Sequence, residues 1–186
     1  YLFLPGLMAQ PLLFTGFMFH QVHLVEVKGW SLALWGSLYL LYALVAVVVK
    51  IFAGVLVDNY GAIRLVPFVT LPLGVSLFTL SLSSSLAVAV VFMLGMGITV
   101  ALSSIVSAPF FSDMYGNRHL GAIKAVSTSA MVFMSALSPV VLGWLIDAGF
   151  SIDTLVVWGA FYVLLTSGLA FYACRLKIKQ STPSHQ

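Results

Sequence analysis

Long apolar runs broken by short clusters of glycine, serine, aspartate and basic residues divide the chain into six segments. They span about 2–24, 31–57, 62–82, 86–111, 121–146 and 154–174, and a polar stretch, 175–186, follows the last. The breaks are legible one by one: Glu26, Lys28 and Gly29; Asp58-Asn59-Tyr60-Gly61; Ser83-Ser84-Ser85; the polar residues from Ser112 to His119; and Asp147 to Asp153. A helix needs about 20 apolar residues to cross the hydrocarbon of a bilayer, and every run meets that length. Membrane-spanning strands would instead alternate apolar and polar residues over about ten positions, a pattern these unbroken runs lack. Pro67 and Pro72 do not oppose a helix, because neighbouring helices in a membrane bundle satisfy the carbonyls a proline frees. The pattern predicts an all-α integral membrane protein with six transmembrane helices.

Composition agrees and removes competing classes. Of 186 residues, 61% are apolar and 7% are charged, far too few charges to clothe a water-soluble globule. The net charge of +3 is a matter of placement rather than of a nucleic-acid face. Arg64, Arg118, Lys124, Arg175, Lys177 and Lys179 fall at one set of alternate segment ends, and Lys28 alone falls at the other. By the positive-inside rule the six face the cytoplasm, together with both ends of the chain. Cys174 has no second cysteine to pair with and reads as a packing residue. The chain opens at Tyr1 within an apolar run, which raises the expectation of further sequence upstream.

Two segments close on the same phrase. The second ends Gly54-Val55-Leu56-Val57-Asp58 and the fifth ends Gly143-Trp144-Leu145-Ile146-Asp147, and the charge count puts these ends on opposite sides. That is the signature of a 3+3 inverted repeat, in which segments one to three and four to six are counterparts. Asp58 is expected near the start of the third helix and near Arg64, and the glycines are expected to let neighbouring helices approach. Gly54-x-x-x-Asp58-x-x-Gly61-x-x-Arg64 resembles the cytoplasmic loop motif of the major facilitator superfamily between its eighth and ninth helices. Pro139-x-x-x-Gly143-x-x-x-Asp147 is similar to its eleventh helix, and the stretch from Asp113 through Arg118 to Gly121 to the connection before it. The motif departs from the family at Ala62 and Ile63, where basic residues are common. The resemblance covers essentially the whole chain and implies the second six-helix half of a twelve-helix carrier, with the N-terminal half of the same carrier as its partner.

Lys50 is the one charged residue well inside an apolar run, eight positions before Asp58, or about 12 Å along a helix. A lysine at that depth faces a wet cavity that attracts an anion, or else it snorkels or pairs internally. Trp35, Tyr39, Tyr42, Ala46, Lys50 and Ala53 share one helical stripe. The resemblance sharpens the first reading, since monocarboxylate and oxalate carriers commonly place an arginine at the position of Lys50. The aspartate that the monocarboxylate branch carries four residues earlier is Ala46 here. Gln10, Phe14 and Gln21 on the first segment, Ser103 and Ser107 on the fourth, and Met134 on the fifth complete the expected solute-binding set. His20 and His23 lack a third ligand, so no metal is expected, and no cofactor or catalytic motif is present. The expected function is secondary active transport of a small organic anion, the alternative being a non-transporting membrane protein that keeps the carrier fold.

Overall fold

The computed structural model describes residues 4–116 and 118–181, so Asn117 and the end of the expected polar tail, 182–186, lie outside the described residues. The chain forms helices α1 (Leu4–Phe19), α2 (Gln21–Lys28), α3 (Leu32–Tyr60), α4 (Ala62–Leu65), α5 (Leu71–Leu82), α6 (Leu86–Tyr115), α7 (Leu120–Asp147) and α8 (Ile152–Ser181). A 3-10 turn at Val66–Phe68, where Pro67 cannot donate to a helical ladder, joins α4 to α5. No strand occurs among the described residues. The last helix does not stop at Cys174 but continues to Ser181, because nothing in Arg175–Gln180 breaks helical geometry.

Five rods are long and apolar enough to cross a membrane: α3, the run Ala62–Leu82, α6, α7 and Ile152–Leu176. The first apolar segment is instead bent at His20, between α1 and α2. There the backbone leaves helical geometry (φ −95°, ψ 19°), and the His20 Nδ1 lies 3.0 Å from the carbonyl of Gly16. The bend lets α2 turn toward α3 after α1 has packed along α7. Short connections then reverse the chain. Gly29 ends α2 at φ +69°, a left-handed conformation that costs a residue with a Cβ, and the Ser31 hydroxyl accepts from the Leu34 amide to open α3.

Pairing between rods follows the inverted repeat. Helix α3 packs chiefly on α6 and α7 on α1, so each repeat unit lends its middle helix to the first helix of the other, while α5 bridges α6 and α8. Small residues make these approaches possible, as expected where lipid removes any hydrophobic gain from helix association. A Cβ on Gly97 of α6 would sit 2.9 Å from the Tyr42 carbonyl of α3. On the α1–α7 seam Gly16 lies against Ser138, the Ser138 hydroxyl donates to the Leu12 carbonyl, and the hydroxyls of Thr15 and Ser135 are 2.8 Å apart. Gly95 is tightest against backbone: a Cβ there would meet the Pro72 carbonyl of α5 at 2.6 Å. Gly95→Ala should therefore lower stability by about 2 kcal/mol, read as a fall in midpoint on unfolding in mixed detergent, because rigid backbone cannot yield as a side chain would.

The glycine echo divides in two. Gly143 of α7 faces the His20 ring, 3.3 Å from where its Cβ would be, but a Cβ on Gly54 would meet nothing within 4 Å. The expected close approach at Gly54 is not made among the described residues. Burial agrees: 11% of the most apolar window of α3 and of α7 is buried, against 44% in the other three spans.

The end opposite the six basic residues carries a clasp. Lys28, counted from sequence as a loop charge, is buried: its ammonium lies 2.7 Å from Asp153 Oδ1 and donates to the carbonyls of Leu80 at 2.7 Å and Ser83 at 3.3 Å. Beside it Trp30 Nε1 donates to the Ser84 carbonyl at 2.7 Å and its ring stacks on Trp35. One side chain thereby ties α2 to the end of α5 and the start of α8.

Candidate functional site

The residues expected to share one solute site separate into three places. Gln21, Tyr39, Phe14 and Tyr42 form an aromatic knot between the first segment and α3. Gln21 Oε1 accepts from Trp35 Nε1 at 2.9 Å and from the Tyr39 hydroxyl at 2.6 Å, and that hydroxyl also lies 3.2 Å from Met18 Sδ. The rings of Phe14 and Tyr42 meet at 6.2 Å between centroids. The bend at His20 is what brings Gln21 to α3. Because the carboxamide oxygen is taken up by two donors, Gln21 works first as a fastener between helices. Gln21→Leu leaves the buried Trp35 N–H without an acceptor and should lower thermal stability by about 2 kcal/mol, with a shift in tryptophan emission as an independent readout.

Lys50 occupies the second place. It continues the stripe of Tyr39 and Tyr42 that meets the first segment, but toward the basic end it is exposed, while Ala46 and Ala53 on either side are buried. Among the described residues no carboxylate forms an ion pair with it. The exposed cation therefore stands on a stripe that the chain covers on both sides of it.

The third place is a cavity of about 320 Å³ in the basic half of the bundle, walled by α1, α6, α7, α8 and the segment around Val66–Thr70. Gln10, Ser103 and Ser107 line it together, Met131 rather than Met134 stands in the wall, and no residue of α3 contributes. Met134 is half-buried one turn further along α7. The wall also holds Lys124 and Thr128. The sequence offered a signal for them: Lys124, Thr128 and Met131 recur at i, i+4 and i+7, the spacing of one helix face. Lys124 was counted with the loop charges, and that assignment hid the stripe. Next to the cavity the hydroxyls of Thr70 and Ser167 are 3.1 Å apart and pin the third rod to α8.

The loop motifs lie at the basic end without a charge network. Asp58 is in the last turn of α3 and Arg64 in α4, both exposed, and no ion pair joins them. Gly61, at φ +78°, stands before α4, so Asp58 does not cap it. Asp113 and Arg118 are exposed on either side of Gly116, whose φ of +71° turns the chain. Pro139 is half-buried within α7 and Asp147 is its exposed last residue. Among the described residues no cluster of three His, Cys, Asp or Glu could hold a metal.

Comparison with known proteins adds one positive result. No curated protein and no solved structure matches the chain. Residues 4–185 match the sequence profile of the Major Facilitator Superfamily. The match runs over nearly the whole chain and agrees with its long apolar helices, and the chain belongs to the Major Facilitator Superfamily of multi-pass membrane transporters.

Proposed function

We propose that the protein moves a small organic monocarboxylate across a membrane by alternating access, with Lys50 as the electrostatic anchor for the carboxylate. The observation that carries this reading is the placement of Lys50: a cation within a spanning helix, exposed, with no ion-paired carboxylate among the described residues, at the end of an aromatic stripe. A permanently desolvated ammonium is expensive in a membrane, so such a residue belongs to a wet, anion-accepting path. The uncovered faces of α3 and α7 then meet a second six-helix unit, this chain being the C-terminal half of the carrier, and the solute passes between the two units. The six basic residues at one end set both chain ends in the cytoplasm of a cell-membrane protein.

The test is uptake of radiolabelled short-chain carboxylates by the full-length carrier. Loss of saturable uptake in Lys50→Ala supports the reading. Unchanged uptake removes Lys50 from the site, and no uptake of any solute favours a non-transporting role.

A further inference from the structure

The cavity within the bundle has a lysine, Lys124, exposed at its mouth. Lys124 lines it, no described carboxylate pairs with Lys124, and none of the cavity's lining residues is Asp or Glu. Lys124 lies four positions after the start of α7, about 6 Å in from the basic end, whereas Ser103 lies twelve positions before the end of α6, about 18 Å in. Polar groups thus continue from mouth to interior: Lys124 and Thr128 on α7, Ser107 and Ser103 on α6, Gln10 on α1. A simple packing void would be lined by apolar groups alone, whereas this wall carries a lysine, a glutamine and several hydroxyls. Between these groups the wall is apolar, with Leu7, Val100, Phe110 and Met131.

The chemistry selects the ligand. One ammonium at the mouth among neutral hydroxyls disfavours cations and attracts anions, and a dianion would carry its second charge against an apolar wall without a partner. A monoanion with an apolar body satisfies both surfaces. The volume of about 320 Å³ equals that of about ten waters, enough for a carboxylate of a few carbons and too small for a two-chain lipid. We propose that this cavity is a second anion site, internal to the six-helix unit and separate from Lys50. It takes a short apolar monocarboxylate with its head on the Lys124 ammonium and its chain along α6. The ligand class rests on the proposed transport of carboxylates; the site itself rests on the cavity.

Binding of radiolabelled hexanoate to the purified full-length protein in phosphatidylcholine nanodiscs tests it, with Lys50→Ala as the background so that the cavity is read alone. One equivalent should still bind in that background. Adding Lys124→Gln should weaken it at least tenfold, Ser103→Leu should do the same by filling the cavity with the charge intact, and Lys124→Arg should hold it within about threefold, which excludes a folding defect as the cause. No binding in the Lys50→Ala background, or binding indifferent to both Lys124→Gln and Ser103→Leu, overturns the proposal. A tenfold loss of hexanoate affinity when phosphatidylglycerol enters the bilayer also overturns it, by assigning the site to a lipid headgroup. Carboxylate uptake is measured separately, so a failure of Lys50→Ala to alter uptake counts against the transport site and not against the cavity.

Discussion

Asp153→Ala should lower the stability of the bundle by about 3 kcal/mol, and Lys28→Met by only about 1 kcal/mol, although each removes one partner of the same ion pair. The asymmetry follows from burial. The Lys28 side chain is 3% exposed and that of Asp153 is 48% exposed. Deleting the carboxylate leaves an ammonium enclosed at the junction of three helices, with only the Leu80 and Ser83 carbonyls to hold it. Deleting the ammonium leaves a carboxylate that water already reaches, and methionine refills the apolar volume. The same reasoning places the double variant close to Lys28→Met alone, since without the lysine the aspartate no longer faces a buried charge. Unfolding of the three variants in mixed detergent settles the point. A cost for Lys28→Met equal to or above that for Asp153→Ala would mean that the buried ammonium is not what makes the clasp matter.

That clasp marks the boundary of what the sequence made legible. The six segments were readable because hydrocarbon demands about 20 apolar residues and closed backbone hydrogen bonding, a requirement that acts on each segment alone. The echo of Gly54 and Gly143 on opposed sides suggested a 3+3 repeat but not which helices pair, and of the two only Gly143 meets a neighbour among the described residues. The bend at His20 was not readable, since no proline or glycine stands there and its cause is tertiary: α1 follows α7 while Gln21 is bonded to Trp35 and Tyr39. Lys28 could not be told from an ordinary loop lysine because its partners are 52 to 125 positions away. The expected solute-site residues were read as polar and aromatic stripes, and a stripe gives a face and not the helix that face meets. Gln21 and Tyr39 therefore turned out to bond each other, while Gln10, Ser103 and Ser107 came together around a cavity.

Lys50→Ala should abolish saturable carboxylate uptake by the full-length carrier, a fall of at least a hundredfold in the ratio of maximal rate to half-saturation constant. Removing one member of a close, desolvated ion pair costs about 2–5 kcal/mol, and about 2.7 kcal/mol already corresponds to a hundredfold. Stability should hardly change, because Lys50 is exposed and forms no ion pair among the described residues. That combination separates the functional role from a structural one, which would lower the melting temperature in step with activity. Lys50→Arg keeps the charge but replaces a compact ammonium by a planar fork, so uptake should persist with a changed order of preference among carboxylates of different length. Ala46→Asp supplies a carboxylate one turn away on the same stripe, and it should weaken uptake by competing with the solute for the lysine. If Lys50→Ala and Ala46→Asp both leave uptake intact, the anion does not meet Lys50 and the anchor lies elsewhere in the carrier. If Lys50→Ala abolishes uptake while Ala46→Asp merely raises the half-saturation constant, the lysine is held in the path by its charge, as its exposed position on α3 implies.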